Sequence, residues 1–149
     1  MTTMTAQSLA AACAKAMWDD DKASAGLGME IVSVGPGRAD VAMAITEAMV
    51  NGHGTCHGGF IFSLADSAFA FACNSYNQRA VAQHCSITFL APGRLGDRLL
   101  AKASEASRTG RSGIYDIDVF NQDGVKIAIF RGHSRTVKGE FFPGATVEG

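Results

Sequence analysis

One stretch limits the folds open to this 149-residue chain more than any other. From His57 to Asn74 it reads HGGFIFSLADSAFAFACN. The run is too long and too Ala-rich for a strand, and it is apolar nearly all round, so the pattern predicts a helix buried on most of its sides. At 1.5 Å per residue, about 18 residues reach about 27 Å, enough to cross a small domain.

The flanking patterns say what covers such a helix. Residues from about Ala6 to Ala25 look helical, with Leu9, Cys13, Ala16 and Met17 near one face, and Gly26-Leu27-Gly28 closes that element. Residues 29–46 split at Gly35-Pro36-Gly37 into two strands in which Val41, Met43 and Ile45 alternate with other side chains. Beyond the long helix the chain stays extended. Residues 80–93 form a strand stopped by Pro92-Gly93, residues 96–110 form a second, and residues 112–137 form two more joined at Asn121-Gln122-Asp123-Gly124. The tail after Lys138 is punctuated by Gly and Pro and is expected to fray. The order helix, two strands, buried helix, four strands predicts one α+β domain over 1–149, with a core at about 6–137 and a tail at 138–149. Consecutive hairpins imply an antiparallel sheet, and the helix needs that sheet wrapped around it, which is the hotdog fold.

Composition narrows the partners. A net charge of −1 with no basic run offers nothing to nucleic acid or anionic lipid. Cys13, Cys56, Cys73 and Cys85 form no CxxC pair, which fits a reducing compartment better than a disulfide framework. The first residues lack the basic region of a signal peptide, and no stretch approaches ~18 uninterrupted apolar residues. These features point to a soluble, cytoplasmic protein with no membrane partner.

The chemistry concentrates in Asn51-Gly52-His53-Gly54-Thr55-Cys56-His57-Gly58-Gly59, which runs straight into the long helix. Gly58 and Gly59 fall in its first turn, where backbone N–H groups lack intrahelical partners and the helix dipole favours negative charge. Glycine lets a ligand carbonyl approach the backbone closely, as an oxyanion hole requires. The same glycines would also serve a plain tight loop. Asp66 is the lone acid of the helix, set among Leu64, Ala65, Ala68 and Phe69, where burial is costly unless the carboxylate is paired or used. A solvated helix position is its bland alternative. Gly58 and Asp66 are separated by about 12 Å along one helix, too far to act on one carbon. Two antiparallel copies would bring Gly58 of one beside Asp66 of the other, so an active site here belongs to a dimer.

Other constellations carry less. Cys56 and His57 are adjacent, which rarely lets a nucleophile and base face one another. His53, Cys56 and His57 match no standard metal spacing, so no metal is expected. Asp116 and Asp118, at i and i+2 on a strand, read as a solvated sheet face. His84, His133 and Arg135 have no diagnostic context, and Gly113, Arg131 and Gly132 sit near strand ends where a basic group could meet a phosphate.

The segments NGHGTCHGGFIFSLADSAFAFACNS, ITFLAPGRLGD, GIYDIDVFNQDG and IFRGHS together resemble the hotdog acyl-CoA thioesterases, most of all the phenylacetic acid degradation (PaaI-type) family. The resemblance runs from about Ala6 to Val137. It implies hydrolysis of an acyl-CoA thioester without metal or cofactor, in a tetramer built from two hotdog dimers. It implies that Gly58 gives its N–H to the thioester carbonyl, that Asp66 of the partner subunit is general base or nucleophile, and that Asn51 and His57 orient the thioester. Gly59, Phe62 and Arg94 are implied as substrate contacts, with Phe60, Phe62 and Phe69 as an aromatic wall for ring-bearing acyl groups of the phenylacetyl type. Medium-chain acyl-CoA is the alternative substrate. Two positions depart from the family pattern. Val81, Ala82, Gln83 and His84 stand where some relatives carry a water-positioning Ser or Thr. Ala91 stands where a basic residue often precedes the proline, which leaves Arg94 as the nearby cation for CoA phosphates.

Two rival readings use the same fold. A hotdog dehydratase pairs a loop His with a helical Glu in a Pro-rich context, and this chain has Asp66 and lacks those prolines. A non-catalytic acyl-CoA sensor carries a DNA-binding segment ahead of the fold, for which residues 1–25 are too short.

Overall fold

Glycine-bearing turns set the strand ends in the computed structural model, which describes residues 2–148. Strand β1 (Thr3–Met4) leads into helices α1 (Ala6–Asp20) and α2 (Lys22–Gly26), then strands β2 (Glu30–Gly35) and β3 (Arg38–Ala44). A short 3-10 turn at Glu47–Met49 precedes the long helix α3 (Gly58–Cys73). Strands β4 (Ala80–Phe89), β5 (Arg98–Thr109), β6 (Ser112–Phe120), β7 (Lys126–Thr136) and β8 (Thr146–Val147) complete the chain. The expected bounds of the long helix, His57 and Asn74, are its two caps.

Six strands form one antiparallel sheet in the order β2-β3-β5-β6-β7-β4. Hairpins account for most neighbours, but α3 carries the chain from β3 across the concave face to β4 at the opposite edge. The sheet closes on α3 as expected, and the inward side chains Val41, Met43, Leu99, Ile117, Val119 and Ile127 are buried against it. Along α3, Ile61, Leu64, Ala65, Ala68, Phe69 and Ala72 face this core. Alanines on the helix and Gly132 on β7 let backbones come close. Trp18 of α1 packs against Phe71 on the outer side of α3, with ring centroids 6.4 Å apart.

Three local features differ from the sequence reading. The single helix expected over residues 6–25 is two helices, because Asp21 leaves helical geometry and turns its carboxylate into a cap. Its Oδ1 accepts the Ser24 N–H at 2.9 Å, and its Oδ2 accepts the Ser24 hydroxyl at 2.6 Å. The tail after Lys138 is tied down where fraying was expected. Strand β8 pairs in parallel with β1, which brings Thr3 opposite Thr146. Residues 139–142 are latched by Asn77, a buried residue with φ of 64°. Asn77 Oδ1 accepts the Phe142 N–H at 2.9 Å, and Nδ2 donates to the Phe142 carbonyl at 2.9 Å and to Glu140 Oε2 at 3.2 Å. Two-residue strands are too short to carry a periodic signal, so neither β1 nor β8 was expected. No helix among the described residues is long and apolar enough to cross a membrane.

Asn77→Ala removes these bonds and puts a Cβ-bearing residue without a polar side chain in the left-handed region. It is expected to cost about 2–4 kcal/mol in urea denaturation, with Asn77→Gly losing less because its backbone tolerates that φ.

Candidate active site

The loop that delivers the chain to α3 is ordered by its own polar groups. Asn51 Oδ1 accepts from the N–H of His53 at 3.0 Å and from the N–H and hydroxyl of Thr55, both at 3.3 Å. The Cys56 N–H donates to the Gly93 carbonyl at 2.8 Å and the His57 N–H to the Met49 carbonyl at 2.7 Å, so the loop is fastened to its neighbours on both sides. Asn51 Nδ2 makes no hydrogen bond among the described residues and stays available as a donor.

His57 is the N-cap of α3, and its Nδ1 accepts the Gly59 N–H at 3.0 Å. The Phe60 N–H is held by the His57 carbonyl at 3.0 Å. Gly58 therefore keeps the one N–H of the first three helical residues without a partner among the described residues. Of the two glycines read as donors, only Gly58 is open, because the imidazole takes the other. A Cβ on Gly58 would lie 2.8 Å from the ring of Phe89, so no larger residue fits there unless that ring moves. Cys56, Gly58, Ile61, Phe89, Pro92 and Gly93 line a cleft of about 460 Å³ at this helix end.

Asp66 lies on the least-covered stripe of α3, with Phe62 and Ala70 one turn to either side, all three half-buried. Its carboxylate makes no hydrogen bond and no ion pair among the described residues. Burial without a partner pushes its pKa above the ordinary carboxylate value. Its charge reaches Cys73 and Cys85: burial first and Asp66 second raise the Cys85 thiol, and the buried Cys73 thiol is pushed up to about 12. Both thiols are therefore poor nucleophiles at neutral pH. Asp66 stands about 12 Å from Gly58 of the same helix, as the 1.5 Å rise dictates. Beside this stripe runs β4, whose outer edge has no strand partner.

The remaining candidates separate. Phe69 belongs to the core, against Tyr115 and Phe130. Phe62 stacks edge-to-face on Phe130 at 5.2 Å yet stays half-buried, and Phe60 packs on the His57 ring at 6.1 Å. Arg94 is exposed at the cleft rim, its N–H held by Asp97 Oδ2 at 2.9 Å. Asp116 is clamped by Arg131 through bonds of 2.6 and 2.9 Å, and Asp118 faces Lys126 at 3.6 Å, so these acids belong to the outer sheet face. His84 and His133 are cross-strand neighbours with centroids 5.5 Å apart. No group of three or more His, Cys, Asp or Glu side chains among the described residues is placed to hold a metal.

Sequence reasoning missed two features. Phe89 covers Gly58, yet in sequence it is one more apolar residue before the Pro92 stop. The capping role of His57 was also hidden, since Ser, Thr, Asp and Asn are the usual cap residues.

The chain is similar to known thioesterases in sequence and in fold. The thioesterase superfamily matches residues 53–128, from the glycine-rich loop into β7. Acyl-coenzyme A thioesterase PaaI of Escherichia coli K12 is 47% identical over 126 residues, covering 85% of this chain and 90% of that protein. The solved structure of the E. coli PaaI protein from the phenylacetic acid degradation operon superposes with a TM-score of 0.89 at 42% identity, covering 97% of this chain and 100% of that one. A variant of the phenylacetic acid degradation protein PaaI from Thermus thermophilus superposes with a TM-score of 0.76 at 35% identity, covering 78% and 100%.

His57→Ala is expected to lower stability by about 1 kcal/mol through loss of the cap. His57→Asp, which keeps a cap acceptor, should restore most of it in urea melts. Equal losses in both variants would assign the imidazole a role other than capping.

Proposed function

The chain belongs to the thioesterase superfamily and is an acyl-CoA thioester hydrolase, and we propose that it acts on aryl-acetyl CoA thioesters through Gly58 of one subunit and Asp66 of its partner. The observation that carries this reading is a pair of unused groups on one helix. The Gly58 N–H and the Asp66 carboxylate are both without protein partners among the described residues, and they lie too far apart to meet within one chain.

Each group has a defined task. The Gly58 N–H, reinforced by the positive end of α3, polarises the thioester carbonyl and stabilises the oxyanion that develops there. The Asp66 carboxylate of the partner subunit either takes a proton from a water that attacks the carbonyl carbon, or attacks that carbon itself; in both routes CoA leaves as the thiolate, and in the second a water then cleaves the acyl-aspartyl anhydride to release the acid and restore the carboxylate. His57 holds the helix entry rigid and Asn51 Nδ2 offers a second donor at the loop. Phe62 and Phe89 supply aromatic surface for a ring-bearing acyl group, and Arg94 at the rim suits a CoA phosphate.

Dimer formation is supported by what the monomer leaves open. Strand β4 is ten residues long with a bare edge, and Val81 and Phe89 on it are about half exposed, as is Leu90 just beyond. Antiparallel pairing of two such edges would lay the α3 stripes side by side and cover Asp66. Two dimers pairing back to back would give the tetramer that the family resemblance implies. Four cysteines without disulfides suit the reducing cytoplasm.

Asp66→Ala is expected to abolish turnover while leaving a folded oligomer; appreciable residual hydrolysis would remove Asp66 from the chemistry. Gly58→Val subunits mixed with Asp66→Ala subunits should recover up to about a quarter of wild-type activity, since half the dimers are mixed and each holds one intact site. Mixed dimers with no activity would sink the shared-site geometry. The acid limb of the kcat/KM profile should titrate above the ordinary Asp value of 3.8, because burial raises Asp66 and only its ionised form is competent. A thiol-release panel of aryl-acetyl, benzoyl and straight-chain acyl-CoAs tests the substrate: faster turnover of aryl-acetyl groups supports the assignment, and equal turnover of medium chains discards it.

A further inference from the structure

The bare edge of β4 can meet a second copy of itself in only a few registers, and the contacts of α3 with the sheet select among them. A Cβ on Gly58 would lie 2.8 Å from the Phe89 ring, so the first turn of the helix is level with Phe89. Phe62 packs on Phe130 at 5.2 Å, and Phe130 is the cross-strand partner of Ile87. Phe69 lies over Gly132, which is the partner of Cys85. Helix and strand therefore run in opposite directions, and the level falls from Phe89 past Ile87 to Cys85 as α3 advances. The reach of the Asp66 charge to the Cys85 thiol fits that order. About 12 Å of helix separates Gly58 from Asp66, and about 14 Å of strand separates Phe89 from Cys85.

Backbone bonding narrows the choice. The Leu90 N–H donates to the Ile127 carbonyl at 2.8 Å, and bonding alternates along an antiparallel ladder, so Leu90, Thr88 and Ser86 turn their backbone groups to β7. Those of Phe89, Ile87 and Cys85 face the bare edge. The straight part of that edge has two ends. At one, the ladder with β7 shifts between Ala82 and His84, which leaves Gln83 as an extra residue. At the other, the N–H groups of Leu90 and Ala91 both reach the Ile127 carbonyl, at 2.8 and 3.3 Å, and Pro92 follows. Residues 84–90 lie between these breaks, and Ile87 is their midpoint.

We infer that the dimer axis passes through Ile87, so that the partner's Cys85 lies across from Phe89 and forms a wall of the thioester cleft. An axis that sets Gly58 beside the partner's Asp66, as in the shared site above on which this reading rests, crosses α3 midway between them, at Phe62. Phe62 is level with Ile87, the residue on which the edge geometry converges without reference to catalysis. In this register Ile87 and the partner's Ile87 exchange N–H···O bonds about the two-fold. Ser86 then faces the partner's Thr88, and Leu90, half-exposed in one subunit, lies over the partner's His84. Phe89 and the partner's Cys85 come to about 5.5 Å between Cα atoms, both side chains on the helix side of the sheet. The Cys85 thiol, held above its ordinary pKa by burial and then by Asp66, stays neutral there. It offers the acyl group a small apolar surface and does not compete for the carbonyl carbon.

Disulfide trapping with diamide as oxidant reads the register. Ser86→Cys subunits mixed with Thr88→Cys subunits, both in a Cys85→Ser background, should form covalent dimers. Neither variant alone should link, because each new thiol stands about 8 Å from its own copy, beyond disulfide reach. Ile87→Cys in the same background should link with itself, at about 5.5 Å between Cα atoms. The wild type should not link, since its Cys85 residues are about 14 Å apart. Wild-type dimers joined through Cys85, or no linkage in a mixed sample that gel filtration shows to be dimeric, overturn the register. A monomeric wild type that still hydrolyses acyl-CoA removes the shared site itself, a separate failure. Cys85→Leu tests the wall: kcat/KM should fall about tenfold for a ring-bearing acyl-CoA and less for acetyl-CoA. Equal losses for the two substrates would assign Cys85 to packing alone and overturn its place in the cleft.

Discussion

Phe69 presses against β7 so closely that a Cβ on Gly132 would meet its ring at 2.7 Å. That contact, repeated in gentler form by Ala65, Ala68 and Ala72, brings the α3 axis near the sheet and leaves no layer of water between them. Most of the rest is a consequence. A helix that is dry on nearly every side has only two places to meet solvent or ligand: its first turn, and the stripe that the sheet does not reach. Those are where Gly58 and Asp66 sit. The sheet is long enough to wrap the helix but ends at β4, so the wrapping stops beside Asp66.

The distribution of charge points the same way. Asp116, Asp118, Asp40 and Asp19 each face a cation on the surface. Asp21 and Asp97 cap backbone N–H groups, and Glu105 is held by two tyrosines. Asp66 is the exception, half-buried and unpartnered among the described residues. A carboxylate raised by burial weakens the fold once ionised, so the isolated chain is most stable with Asp66 protonated. That contribution falls away as pH rises through the window that starts at 3.8. Groups kept at a cost to stability are the ones that functional sites retain.

Much of this was visible before any coordinates. The caps of α3 coincide with His57 and Asn74 because the apolar run starts and stops there, and Gly35-Pro36-Gly37 and Asn121–Gly124 mark hairpins because those residues suit tight turns. The expectation of a second subunit follows from the helix rise alone and belongs to the proposed mechanism. What escaped was held by single side chains acting across long sequence separations. Asn77 latching Phe142 and Phe89 covering Gly58 involve residues with no pattern around them. Asp21 breaks a helix that its neighbours would have continued, since one capping carboxylate outweighs a run of modest propensity.

The stacking of Trp18 on Phe71 has a practical corollary. Trp18 is the only tryptophan of the chain, so its emission reports on one place: the seam between α1 and the C-terminal half of α3. Phe71 lies about 20 Å along the helix from Gly58. Native fluorescence can therefore follow the loosening of that seam during unfolding. The protein carries a built-in optical reporter of its scaffold, seated on the half of α3 that follows Asp66.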